Sequence, residues 1–270
     1  MFAMLCAACA NQPPAQPAPT IETPRTGGIT LRNGWRATVL VERDDSIILS
    51  LPSGDKQLQH FDRRAGFTLA MDGDGRVSLR LDSLTTMMPR TGNPATVPLG
   101  ATWGGQAGDS RVNAIRVTGG GDAAAELTAV VRNLLPRLPV GGVHARMTWA
   151  DSASGDVQVD VFKASEHRTA SWSSGTLSGR AGSQVLPVLV REDFEQLGDG
   201  SQGGHRLTMT SQGRRSGTYY LTMDGRVSGA EIDDSVAMLI SIPATKQVVP
   251  TIRYGRTIVR FVPATRNESE

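Results

Sequence analysis

Val77-Ser78-Leu79-Arg80-Leu81-Asp82 sets an apolar residue at every second position with a polar one between, so an extended backbone buries one face and wets the other. The same period of two runs through Phe67-Thr68-Leu69-Ala70-Met71, Val157-Gln158-Val159-Asp160-Val161 and Tyr219-Tyr220-Leu221-Thr222-Met223. Turn signals stand between such runs: Asp44-Asp45, Ser53-Gly54-Asp55, Asp72-Gly73-Asp74-Gly75, Gln212-Gly213 and Asp224-Gly225. Glycine there supplies the positive φ of a tight hairpin. Hairpins pair chain neighbours, so the expected fold is mainly β: an antiparallel, strongly curved sheet, half-barrel-like. A pair of immunoglobulin-like sandwiches is the competing architecture.

One segment departs from this period. Asp122 can cap a helix over 122–135, in which Leu127, Val130, Val131, Leu134 and Leu135 recur at helical spacing. Arg132 falls on the opposite face, Arg137 lies near the negative end, and Pro136 and Pro139 stop the helix. A lone amphipathic helix must lay its stripe on the sheet. The stripe, together with Trp103 and Trp149, is therefore the candidate lining of an apolar pocket or core. The helix separates β halves at about 29–120 and 140–263 within one domain, 29–263, followed by a tail at 264–270. Asp74-Gly75-Arg76-Val77-Ser78 returns as Asp224-Gly225-Arg226-Val227-Ser228, an echo that either duplication or shared hairpin chemistry explains.

With 270 residues and 39% hydrophobic content, the chain can bury a full core. No run approaches the roughly 18 apolar residues of a membrane-crossing helix. Its 28 basic and 26 acidic residues are evenly spread, with Arg43, Arg63, Arg80, Arg116 and Arg180 far apart and aromatics at 5%. That distribution argues against nucleic acid, whose binders cluster basic residues among stacking aromatics. Both cysteines, Cys6 and Cys9, lie in the first nine residues, which excludes disulfides and Cys-based metal or nucleophile sites from the body.

Each motif that carries chemistry elsewhere is incomplete here. Asp72-Gly73-Asp74-Gly75 opens like a calcium loop, but Arg76 and Val77 take the next ligand and glycine positions and no glutamate closes it. Ser53-Gly54-Asp55-Lys56 has the Ser-to-Lys spacing of penicillin-binding enzymes without their Lys-Thr-Gly companion. Gly108-Asp109-Ser110 is similar to a lipase-type nucleophile block but lacks an Asp-x-x-His partner. His60, His144, His167 and His205 are singletons, and Gly119-Gly120-Gly121 lacks a phosphate-loop lysine. The pairs Glu192-Asp193 and Asp233-Asp234 invite a glycosidase reading, though adjacent acids are commonly solvated turn residues. No catalytic residue, metal site or cofactor is expected.

The N-terminus carries an address. Leu5-Cys6-Ala7-Ala8-Cys9-Ala10-Asn11 has the small residues before a cysteine that a lipoprotein signal peptidase accepts. Residues 1–9 are read as the remnant of such a signal, with Cys9 the acceptor of the lipid, and 10–28 as a Pro-rich tether. Ala10, rather than an aspartate, after the cysteine favours outer-membrane sorting and placement on its periplasmic face.

Leu134-Leu135-Pro136-Arg137-Leu138-Pro139 followed by Met147-Thr148-Trp149-Ala150-Asp151 resembles uncharacterised bacterial lipoproteins of the kind found in Gemmatimonadota. The resemblance extends to Leu51-Pro52-Ser53-Gly54, Leu81-Asp82-Ser83-Leu84 and the strands after Asp224-Gly225-Arg226. It departs at Arg146, where the pattern has a glycine. It implies no activity. A looser architectural resemblance is to the half-barrel of bacterial lipoprotein carriers, which implies shelter of acyl chains in a concave apolar face. The functional expectation is a non-enzymatic envelope lipoprotein, held to the membrane by its lipid, that binds a lipid-like ligand or an envelope protein. The alternatives are a structural envelope component without a pocket and, third, an unrecognised hydrolase.

Expressed behind a complete signal, the protein should incorporate labelled palmitate, and Cys9→Ala should abolish the labelling. Labelling that survives Cys9→Ala but not Cys6→Ala would move the acceptor to Cys6.

Overall fold

The computed structural model describes residues 27–51, 53–87, 99–107, 112–118, 127–159 and 161–263. Cys9, the tether to residue 26, Gly108-Asp109-Ser110, Gly119-Gly120-Gly121 and Asp122 lie outside the described residues. Twelve strands form one antiparallel sheet: β1 (Trp35–Ser50), β2 (Lys56–Met71), β3 (Arg76–Met87), β4 (Thr102–Ala107), β5 (Val112–Thr118), β6 (Thr148–Val159), β7 (Phe162–Ser174), β8 (Ser178–Arg180), β9 (Ser183–Gln202), β10 (His205–Thr222), β11 (Val227–Ile242) and β12 (Gln247–Pro263). Their order is β5-β4-β3-β2-β1-β12-β11-β10-β9-β7-β6, with the short β8 on β9, so the sheet is not closed into a barrel.

Alternation sets the register of the long strands, which shifts only at bulges such as Gly66/Phe67 between β2 and β3 and Tyr220/Leu221 between β10 and β11. In β1, Trp35, Ala37, Val39 and Val41 point inward while Arg36, Thr38 and Asp44 face water. A slip by one residue would exchange the two sets. The first and last strands pair over thirteen positions, from Ala37↔Pro263 to Leu49↔Thr251, and this join fuses the N- and C-terminal parts of the chain into one sheet.

The sheet is curled. Trp103 of β4 and Trp172 of β7 stand eight places apart in the strand order yet belong to one buried cluster. At about 4.8 Å per strand a flat sheet would separate them by roughly 38 Å. A curl of this many strands encloses more room than its own side chains fill, and the segment after the helix occupies it. Leu127, Val131, Leu134, Leu135, Leu138 and Val143 pack there against Phe67, Leu79, Val188 and Leu221.

The helix, α1 (residues 127–131), is shorter at its end than the expected 135. The Pro136 ring opposes helical geometry at Arg132 and turns Leu135 out of it, and Asn133 and Leu134 hydrogen-bond three residues back instead of four. The freed carbonyls are satisfied locally: Asn133 Nδ2 donates to Ala129 O (2.7 Å), and the Tyr219 hydroxyl donates to Asn133 O (2.9 Å).

Ser53-Gly54-Asp55, Asp72–Gly75 and Asp224-Gly225 are hairpin turns, with Gly54, Gly75 and Gly225 at φ of 89°, 81° and 83°. Asp44-Asp45 and Gln212-Gly213 are not turns, because they lie within β1 and β10. In each pair one residue faces in and one out, so the alternation passes through them unbroken. The two echoed turns share one hydrogen-bond pattern, Gly75 N to Asp72 O and Gly225 N to Thr222 O. Both are pinned by the chain before β1: Gly34 N donates to Asp72 O (3.2 Å) and Arg32 N to Gly225 O (2.8 Å), while Ile29 pairs with Val143. This segment closes one end of the hollow. Arg146, the departure from the glycine pattern, adopts φ 61°, the left-handed conformation that glycine would take without strain.

Leu134 is 1% exposed. Truncation to alanine should cost about 2–5 kcal/mol in urea unfolding, and Leu134→Asp should fail to give a cooperative transition. A wild-type midpoint for Leu134→Ala would show that the plug does not bear on the core.

Candidate functional site

Beyond the apolar layer around α1, the inward positions turn polar without leaving the period of two. β1 continues from Val39 and Val41 to Arg43 and Asp45, β11 from Ile232 to Asp234, β10 from Tyr219 to Arg215, and β9 from Val190 to Glu192. Register brings these together, with Arg215 opposite Asp234 on β11 and opposite Glu192 on β9, and Asp234 opposite Gly255 of β12.

Arg43 anchors the belt. Its Nε and Nη2 donate to the two oxygens of Asp45 at 2.9 and 2.7 Å. Its Nη1 and Nη2 donate to those of Asp234 at 2.8 and 3.2 Å, and Nη1 also donates to Thr257 Oγ1 at 2.7 Å. All five guanidinium N–H groups are thereby used. Burial works against the charge on Arg43, but Asp234 and then Asp45 outweigh it and raise the pKa. Burial likewise favours neutral Asp234, yet Arg43 holds it below the ordinary carboxylate value. The room comes from Gly255: a Cβ there would lie 2.2 Å from Arg43 Nη2.

Two further groups complete the belt. Arg215 pairs with Glu192 and donates to Asn133 Oδ1 (3.1 Å), tying the sheet to the end of α1. On the other side, Gln196 Nε2 donates to Glu166 Oε2 (2.8 Å) and Ser211 Oγ to Gln196 Oε1 (2.9 Å), while Arg168 and Arg132 stand 3.8 and 4.0 Å from Glu166 Oε1. Arg137 is ion-paired to Asp151, to which Trp172 Nε1 donates at 3.1 Å. Burial there lowers the Arg137 pKa and raises that of Asp151 despite the pairing.

A cavity of about 220 Å³ lies against this belt. Its floor carries Arg43, Asp45, Arg63, Arg132, Glu166, Arg168, Arg215, Asp234 and Arg253, and its walls carry Val157, Val159, Phe162, Met209, Met238 and Ile240. Phe162, Met209 and Val157 belong to a second buried cluster, separate from the one around α1. The inward face is thus layered as plug, charged belt and apolar chamber.

Of the residues expected to line a pocket or core, Leu127, Val131, Leu134, Leu135 and Trp103 sit in the closed core. Trp103 Nε1 donates to Thr128 Oγ1 (2.9 Å), and half-buried Trp149 stacks on Trp172 at 5.9 Å between centroids. Val130 alone of the set lines the cavity. Arg132 also faces it, not solvent, because the curled sheet wraps around both sides of this segment. Glu192 and Asp234 are buried mid-strand residues, and only their neighbours Asp193 and Asp233 point to water. Asp74 Oδ1 accepts from Arg76 N (3.2 Å) within its turn. His60 and His167 pair through Nδ1 with Ser46 (2.9 Å) and Ser154 (2.8 Å) on the outward face. Among the described residues, no three His, Cys, Asp or Glu side chains are grouped to hold a metal ion. Acidic doublets suit turns as well as strands, so the doublets alone do not mark the belt; the unbroken alternation on either side of them is the signal that does.

No protein-family profile and no curated protein matches the chain. Among solved structures it is similar to Pseudomonas aeruginosa OccK2 at 10% identity and a TM-score of 0.32, covering 86% of this chain and 100% of that one. It is also similar to a loop-deletion mutant of OmpT, an outer membrane protein of Vibrio cholerae, at 7% identity and a TM-score of 0.22 over 84% and 99% of the two chains. A third is an outer membrane channel from Pseudomonas putida F1, at 9% identity and a TM-score of 0.20 over 89% and 100%. Likenesses this slight carry no argument. The residues do: a lipid-facing barrel turns an apolar band outward, whereas here the outward positions of β2 and β10 include Lys56, Asp62, Arg64, Thr210, Gln212 and Arg214.

Asp234→Asn should cost about 1–3 kcal/mol, because Arg43 stays buried and keeps Asp45 but loses its second carboxylate. The lowered Asp234 pKa means that the unfolded chain binds its proton first as acid is added. The stabilisation is therefore present above about pH 4 and lost as pH falls through the folded-state value. Urea midpoints between pH 7 and pH 3 should fall more steeply for wild type than for Asp234→Asn; parallel curves would remove Asp234 as the cause.

Proposed function

We propose that this protein is a non-enzymatic, lipid-anchored envelope protein of the uncharacterised lipoprotein kind it resembles, and that its hollow binds an apolar, lipid-like ligand. The observation that carries the reading is the cavity of about 220 Å³ between the charged belt and the walls of Phe162, Met209, Met238 and Ile240. An apolar group placed there leaves water on contact with five or six aliphatic or aromatic side chains, and each Å² of apolar surface removed is worth about 25 cal/mol. The anchor at Cys9 and a site on the periplasmic face of the outer membrane belong to the same proposal, supported by the Ala7-Ala8-Cys9 sequence.

A neutral hydrophobic dye such as Nile red should brighten on mixing with the folded protein, and widening the chamber wall with charge, as in Met209→Asp, should abolish the rise. If the wild-type protein leaves the dye dark, the structural-component reading takes its place.

A further inference from the structure

Resting on that reading of the cavity, we infer that its ligand is an amphiphile with a single anionic head, a carboxylate or a phosphate monoester, seated on Arg168, Arg132 and Arg253, with its chain in the apolar chamber. Six arginines and three carboxylates line this one cavity. Arg43 is saturated by Asp45, Asp234 and Thr257, and Arg215 is held by Glu192 and Asn133. Arg168, Arg132 and Arg253 are served poorly. Arg168 and Arg132 share Glu166 Oε1 at 3.8 and 4.0 Å, beyond hydrogen-bond reach, while Gln196 occupies the other oxygen. Arg253 stands 3.6 Å from Asp234, a carboxylate already engaged through both oxygens by Arg43.

Burial makes the shortfall costly. The Arg168 side chain is 8% exposed, and the Nε atoms of Arg168 and Arg253 are buried without a hydrogen-bond partner among the described residues. A buried donor without an acceptor costs about 1–3 kcal/mol, more when charged, and a planar guanidinium fork matches carboxylate and phosphate oxygens. A neutral oil would leave the guanidinium ends of Arg168, Arg132 and Arg253 with no acceptor nearer than those carboxylates at 3.8, 4.0 and 3.6 Å. An anion alone would leave the chamber of Phe162, Met209, Met238 and Ile240 unfilled. At roughly 30 Å³ for a water-sized group, 220 Å³ holds about seven such groups, the head and the first carbons of a chain.

Calorimetry on the full chain with decanoate, decyl phosphate, decanol and inorganic phosphate tests this. One or both anionic amphiphiles should bind at least tenfold more tightly than decanol, the better of the two identifying the head, and inorganic phosphate should bind more weakly than decyl phosphate. Arg168→Gln and Arg253→Gln, each checked for an unchanged thermal transition, should weaken the anion about tenfold and leave decanol as it was. Decanol matching the anions would overturn the head-group assignment and leave the apolar-ligand reading standing. Inorganic phosphate matching decyl phosphate would overturn the placement of the chain. If none of the four binds, both readings fall. The wild-type comparison of acid with alcohol decides the matter even where a variant does not fold.

Discussion

Arg43 is held by two carboxylates that come from opposite ends of the chain. Asp45 lies two residues away on β1, whereas Asp234 lies across β12 on β11. An uncompensated charge at this depth would be strongly destabilising, so the strand order β1-β12-β11 and the register that sets Asp45 opposite Gly255 are tied to one guanidinium. A buried ion pair is weak evidence for extra stability, but it tolerates few alternatives in geometry. Shifting β12 by one residue would replace Gly255 with Tyr254 or Arg256 beside Arg43, and neither leaves the space that the guanidinium fills.

The belt also explains why the hollow is divided. On one side of it the plug of Leu127 to Val143 makes a closed apolar layer; on the other, a curled sheet has no second insert among the described residues. Polar side chains across the middle keep the two apolar regions from merging into one core, and Arg215 with Asn133 fastens the plug to the floor of the chamber. The cavity is therefore a product of arrangement: the plug fills one end, and Pro136 stops the helix before it reaches the other.

Much of the architecture was legible in the chain. Alternation around Val77–Asp82 and Tyr219–Met223, with glycine turns at 54, 75 and 225, led to an antiparallel curved sheet with a helix laid on it. The candidate site was legible only at its edge, through Val130. Periodicity identifies which residues face inward but not how far along the strand a polar side chain sits from the plug, and that depth decides whether an arginine is solvated or becomes part of a floor. Arg43, Glu192 and Asp234 each obey the inward period, yet composition marks them as surface residues. Their pairing depends on β1 meeting β12 and on β9, β10 and β11 lying side by side, which no local signal in β1 reveals.

The chain before β1 carries a mechanical consequence. Residues 29–34 cross the closed end, bonded to Val143, Gly225 and Asp72, and lead straight into a strand flanked along its length by β2 and β12. Tension applied from the N-terminus acts along the axis of β1, so the ladders on both sides are loaded in shear and must give way together, unlike an edge hairpin that unzips one bond at a time. Force of that kind meets the unfolding barrier of the central sheet.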